Sequence, residues 1–465
     1  MGRVPFMRGT ALLAALVLVT VACGAATPPA ASAPATATAT ASAPAGGPSA
    51  APSIEARNLQ LWRIFNECAS QHQGVTELGD TTDVCAVQQI LTNKWNAGHP
   101  ETQVATTALV WPGIVELNAA LAVGTPPEIF SLHAFRIPSY ASKGALTPLT
   151  SYLAEAGLDV NDMLPSVRAA VTFNGEIYAV PMDVHGVLAH INLAIWKKAG
   201  LTDASGQPTI PTSLAEFDAA CKKVKDATGG PLFGAGDDDI VGTAWVWASF
   251  YSQLGGSPVD TAGMPTVNTP ESLEALKTFL RLRDEGCFTG GELAKTYESF
   301  VGGKVASVLG GTWMVNEWDA QVRDPNAGLK EYYVAPLPQL GSKPGGWGGS
   351  HTWVVPLGAN ADPARVRAAV SYLKHFWDNN LDWTRTGHAT VRTSVLNSPE
   401  YKALPHKTEY LAYGDNAVFN PATNWSVGYD QIMHEEVQAA LLGQKSAEQA
   451  LGDAQARLMD VASLQ

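Results

Sequence analysis

The side chains best suited to hold a small polar ligand are thirteen tryptophans and a set of histidine, arginine and aspartate residues that follow predicted strands. An indole offers a large flat apolar face and one N–H donor, which suits a ring-shaped, hydroxyl-rich molecule. Trp313 follows Gly310-Gly311-Thr312, and Trp347 lies inside Gly345-Gly346-Trp347-Gly348-Gly349, where glycines let backbone approach a ligand closely. Gly349 and Ser350 close that loop and are binding candidates with it. Trp245 and Trp247 lie two apart: an extended segment puts both on one face, whereas a helix divides them between core and surface. Trp425, with Tyr429, is either a binding aromatic or a loop anchor.

The polar candidates are His133 and Arg136, then Asp183 and His185, then His388 and Arg392. His185 is a ligand contact or a hinge residue with a satisfied hydrogen bond. Arg392 offers a bidentate clamp for hydroxyls or a carboxylate, or else bridges two parts of the fold. The run Gly236-Asp237-Asp238-Asp239 lacks the ligand spacing of a Ca²⁺ loop and reads as a solvated turn.

Motifs that would carry a reaction are missing from the sequence. It has no G-x-S-x-G elbow, no H-E-x-x-H helix, no phosphate-cradling loop and no strand-associated G-x-G-x-x-G. No catalytic residue, cofactor or metal site is therefore expected. The net charge is −13, and losing Arg3 and Arg8 with a leader takes it to −15, a balance that repels phosphate backbones and argues against nucleic acid.

The elements that must position these residues alternate. Strands are predicted over Leu59–Phe65, Thr102–Val110 and Glu128–Leu132, with helices over Val84–Ala97 and Ile114–Ala122 between them. Further helices are predicted over Leu214–Lys225, Pro270–Glu285, Pro363–Asp378 and Ser446–Leu458. Such alternation argues for α/β sheets covered on both faces, with ligands beyond the carboxyl ends of the strands.

Ahead of the first strand, Arg3 and Arg8 precede the apolar run Thr10–Val21, which is shorter than the ~20 residues of a membrane span and reads as a secretory leader over 1–22. Leu18-Val19-Thr20-Val21-Ala22-Cys23-Gly24 resembles a bacterial lipobox, which implies a lipid on Cys23 and an extracytoplasmic protein anchored to the cell membrane. Residues 23–55 are almost only Ala, Thr, Pro, Ser and Gly and read as an extended tether. The remaining Cys68, Cys85, Cys221 and Cys287 form an even set for an oxidising compartment. Sequence order favours Cys68 with Cys85 and Cys221 with Cys287 among three connectivities.

Four segments together carry a resemblance. They are Pro127-Glu128-Ile129-Phe130 with Tyr140 to Leu149; Phe173-Asn174-Gly175-Glu176-Ile177-Tyr178-Ala179-Val180-Pro181, continuing to Lys198-Ala199-Gly200-Leu201; Phe300 to Trp313; and Val334-Ala335-Pro336-Leu337-Pro338 with the Trp347 loop. In this order they are similar to the extracellular solute-binding proteins of ABC carbohydrate importers, the maltose-binding type. The resemblance implies a periplasmic-binding-protein type II fold, two α/β lobes joined by crossover hinge segments and closing on a ligand. It divides the chain into an N-terminal lobe of 56–184 with 349–392 and a C-terminal lobe of 185–348 with 393–465. It further implies that Trp313 stacks on a sugar, that one of Trp245 and Trp247 lines the cleft, and that Trp425 stacks in the carboxyl-terminal region. It implies a monomer partnered by permease subunits. His185 departs from the family pattern, in which a carboxylate is common at that place, and this leaves the particular sugar open. The competing expectations are a secreted glycan-acting enzyme, a glycerophosphodiester or polyol binder, and a sensor subunit.

Overall fold

The computed structural model describes residues 58–358, 360–410 and 416–464. The leader, Cys23 and the predicted tether lie outside the described residues.

Two sheets organise the chain. The first is five-stranded, in the order Val104–Ala108, Leu59–Arg63, Ile129–His133, His351–Val354, Ala179–Pro181. Its first three strands run parallel, and His351–Val354 runs antiparallel to both of its neighbours. The second sheet is built around His185–Asn192, whose eight residues are all buried. It pairs antiparallel with Ser307–Gly311, Tyr332–Ala335 and Gly346–Gly349. Each sheet has its own apolar core, one centred on residues such as Leu61, Phe130, Trp353 and Phe376, the other on Ile191, Phe233, Trp247 and Phe279. Ile129–His133 and His185–Asn192 are covered on both faces, so their burial shows no alternation, and the polar residues they carry are buried with the rest.

Local chemistry sets the helices. Asp83 accepts from the Ala86 N–H and starts Val84–Gly98, Ser213 caps Leu214–Thr228, and Thr269 caps Pro270–Asp284 with proline in its first turn. Leu214–Thr228 ends on Gly229 at φ +75°, a left-handed conformation that favours glycine. Cys68 is bonded to Cys85, and Cys221 to Cys287, so the second bond ties this helix to the strand Phe288–Thr289.

The chain passes between lobes over very short distances. Ala179–Pro181 belongs to the first sheet and His185–Asn192 to the second, with only Met182, Asp183 and Val184 between them. Gly346–Gly349 and His351–Val354 belong to opposite sheets and are separated by Ser350 alone. The segment after 392, where a third crossing is expected, touches both lobes. Residues 393–410 run along the joint: Leu396 and Tyr410 pack on the first core, while Glu409 accepts from the Val334 N–H of the second lobe at 3.1 Å.

Arg392 is also placed differently from expectation. Its Nε donates to Asp162 Oδ2 at 2.8 Å, its Nη1 to the Trp377 carbonyl at 2.9 Å, and its guanidinium lies over the Trp377 ring. These contacts lie inside the first lobe, and Arg392 is not among the residues lining the hollow described below. Burial alone would raise the Asp162 carboxyl, but hydrogen bonds from Ser394 and Arg392 outweigh it and hold it below its usual range. A carboxyl depressed on folding contributes stability above its unfolded value near ~3.9, and that contribution is lost as pH falls through the folded value. Arg392→Ala is therefore expected to destabilise the protein at pH 7, with a deficit that shrinks as the pH is lowered below about 4. Denaturant titrations across pH check this, and a deficit independent of pH would contradict the pairing.

Candidate functional site

The two shortest crossings lie side by side and bring Asp183 beneath a group of imidazoles. The carboxylate is fully buried, and accepts from His185 Nδ1 at 2.9 Å, His351 Nδ1 at 3.0 Å and Trp383 Nε1 at 2.9 Å. Burial favours its neutral form, but interaction with the His351 and His388 rings and hydrogen bonds from His185 and His351 outweigh this and hold it well below the usual carboxylate range. An ionised carboxylate only accepts, so the proton of each bonded histidine sits on Nδ1. This turns the Nε2 atoms of His185 and His351 away from Asp183. The same logic reaches His388: Thr386 donates its hydroxyl to the Trp383 carbonyl and so accepts from His388 Nδ1 at 2.7 Å.

Strand register gathers the rings. His351 lies opposite His133 in the first sheet, and His185 lies opposite Gly349 in the second. The His185 and His351 rings stack at 3.9 Å between centroids, and His133 is 4.8 Å from His351. A Cβ on Gly349 would come within 2.9 Å of His185 Nε2, so glycine is required there for the ring to fit. Burial pushes His185 down to about 4 and His388 to about 3, and it carries His133 well below its ordinary value with help from His351 and His185. At neutral pH these three rings are uncharged.

Above this floor is a hollow of about 330 Å³. The first lobe contributes Phe65, Trp111, His133, His351 and His388, and the second contributes His185, Asp239, Trp245 and Trp313. Trp245 lies flat on Trp347 at 3.4 Å between centroids, with 8° between planes. The pair is pinned by hydrogen bonds from Trp245 Nε1 to Asp430 at 3.3 Å and from Trp347 Nε1 to Asn420 at 2.7 Å. Trp313 stands edge-on to Trp245 at 6.3 Å. A Cβ on Gly311 would meet the Trp313 indole at 2.2 Å, so the Gly310-Gly311 pair read from the sequence makes room for this ring. A larger hollow of about 530 Å³ around Asp237 and Gly290 is less suited to a ligand, because Arg283 and the Gly291 N–H already occupy the Asp237 carboxylate.

Of the binding candidates singled out in the sequence, Trp313, Trp245, His133, His185 and His388 line the hollow, and Asp183 supports it from beneath. Trp347 lies behind Trp245 and braces it. Gly349 and Ser350 shape the crossing through backbone, with the Ser350 carbonyl accepting from Ala134. Three of the binding candidates lie outside the lining, two of them as their alternative reading had it. Ala244–Gln253 is a helix, so Trp247 points away from Trp245 into the second core, fully buried and bonded to the Ser272 carbonyl. Trp425 anchors a loop by donating to the Gly263 carbonyl, also away from the hollow. Arg136 packs over Phe135 outside the lining. The acidic run is no solvated turn: Asp237 is ion-paired with Arg283, Asp238 accepts from the Leu293 N–H, and Asp239 faces the hollow.

Sequence reasoning missed Phe65, Trp111 and His351. The ring of Trp111, 55% exposed, stands at the rim beside His133. Trp111 precedes a proline in a loop, and His351 begins a strand, so neither position carries a motif.

The chain is similar to an uncharacterised ABC transporter extracellular-binding protein of Pyrococcus horikoshii, 25% identical over 53% of this chain and 56% of that protein's length. It therefore spans little more than half of that relative. Among solved structures, the GacH receptor of Streptomyces glaucescens, solved unliganded and with acarbose, superposes with a TM-score of 0.72 at 20% identity over 87% of this chain and 98% of the receptor. The cyclic α-maltosyl-1,6-maltose binding protein of Arthrobacter globiformis gives 0.70 at 21% identity over 88% of this chain and 100% of that one. At such identities the likeness speaks for the two-lobed fold. Residues 94–409, well over half of the sequence, match the family of bacterial extracellular solute-binding proteins, and this chain belongs to that family.

Proposed function

We propose that this chain captures a sugar or a sugar-like polyol in the hollow between its lobes and delivers it to the permease of an ABC importer. The observation that carries the reading is the aromatic corner of Trp245 and Trp313 standing over a floor of hydrogen-bonding imidazoles. A sugar needs both kinds of surface, since its ring face is weakly apolar and its rim is hydroxylated. The acarbose and maltosyl ligands of the two structural neighbours are of the same class. Both lobes line the hollow, so a ligand that touches both favours the closed arrangement over the open one.

A glycan-cleaving enzyme is the weaker reading. It would need two carboxylates about 5 to 9.5 Å apart across the scissile bond. Among the described residues lining the hollow, Asp239 is the one carboxylate. Monomeric behaviour and attachment to the outer face of the cell membrane through a lipid on Cys23 belong to the same proposal. The anchor is supported by the lipobox-like Leu18–Cys23 segment and the family's extracellular role.

Two experiments test the proposal. A thermal-shift screen over a sugar and polyol library is expected to find a stabilising ligand, and Trp313→Ala is expected to weaken its binding by ~2 kcal/mol or more, about thirtyfold, in calorimetric titration. Unchanged affinity in that variant would remove Trp313 from the site. Cys23→Ser should move the protein from the membrane fraction to the medium, and continued retention in the membrane would refute the anchor.

A further inference from the structure

The histidine floor carries a consequence beyond solute capture. His133, His185 and His351 each offer one ring nitrogen, and the three nitrogens lie within 4.8 Å of one another. They come from both lobes, since His133 and His351 belong to the first sheet and His185 to the second. We propose that these three imidazoles form a binding site for a divalent transition-metal ion of the zinc class, whose remaining coordination position faces the hollow.

Three features support this. Asp183 accepts from Nδ1 of both His185 and His351, which directs Nε2 of each ring away from the carboxylate, where a metal can take it. A carboxylate behind a histidine is the arrangement that orients metal-bound imidazoles and raises their basicity. The donor set is all nitrogen, which suits Zn²⁺, Co²⁺ or Ni²⁺ and disfavours the oxygen-seeking Ca²⁺ and Mg²⁺. Asp183 also places a fully buried negative charge under the cluster, and a cation above the rings would offset it. Zn–N bonds of ~2.0–2.1 Å put tetrahedral ligand atoms about 3.4 Å apart, so modest ring rotations complete the site. Three protein ligands leave a fourth position open, and an oxygen of the captured solute can fill it. A metal held in this way would link the two lobes directly.

The test uses the full chain, stripped with chelator and titrated with Co²⁺ alone, without any sugar, so that its failure is separate from failure of the carbohydrate reading. The expected result is one equivalent of Co²⁺ with visible ligand-field bands, displaced by Zn²⁺ and untouched by excess Mg²⁺. His133→Gln, His185→Gln and His351→Gln should each weaken binding at least tenfold, and Asp183→Asn by about 10 to 100-fold. His72→Gln, outside the cluster, should leave it unchanged. Circular dichroism on each variant separates lost ligation from lost fold. The site is overturned if the stripped wild-type chain takes up no Co²⁺, or if the bands persist in a folded His185→Gln, His351→Gln double variant.

Discussion

A buried carboxylate must find donors, and in this protein the need of Asp183 organises the joint between two lobes. Its oxygens accept from His185 at the start of the second sheet's central strand, from His351 at the start of a first-sheet strand, and from Trp383 in the helical layer behind. An ion at that depth without partners would cost several kcal/mol, so the three donors are held together as firmly as the charge is held in place. The shortness of the crossings follows the same logic. Three residues on one strand connection and one on the other leave little slack between the lobes here.

From this joint the walls of the hollow follow by support rather than by direct contact with a ligand. Trp347 braces Trp245, Asn420 donates to Asp430, and Asp430 in turn receives the Trp245 N–H, so one aromatic face is fixed through a chain of buried partners. Gly311 and Gly349 act by what they lack, since a methyl group at either place would collide with Trp313 or His185. Rigid walls lower the entropy lost on binding, which favours affinity for a ligand with few specific charges.

Much of this was legible in the sequence because the signals were local. Ser213, Thr269 and Asp362 stand directly before helical periodicity, and the helices begin where these caps place them. The alternating strand and helix pattern led to the right fold class. What stayed hidden was non-local. Trp245 and Trp247 divide according to whether their segment is helical, and apolar residues surround both on either reading. Arg392 looks like a free clamp until Asp162, 230 residues earlier, is seen to hold it. The four imidazoles are scattered from His133 to His388 with no spacing motif, and the pairing of His351 with His133, of His185 with Gly349 and of Val184 with Ala389 assembles them.

The claim that Asp183 fixes the tautomers of the floor is open to direct observation by two-dimensional ¹⁵N NMR of histidine-labelled protein near pH 7, with His185 and His351 assigned by substitution. The predicted result is a proton on Nδ1 and a bare, pyridine-like Nε2 for His185, with Nδ1 of His351 likewise protonated. In Asp183→Asn the preference should weaken for both rings. A proton on Nε2 with Nδ1 bare in the wild-type protein, at either ring, would contradict the role assigned to Asp183.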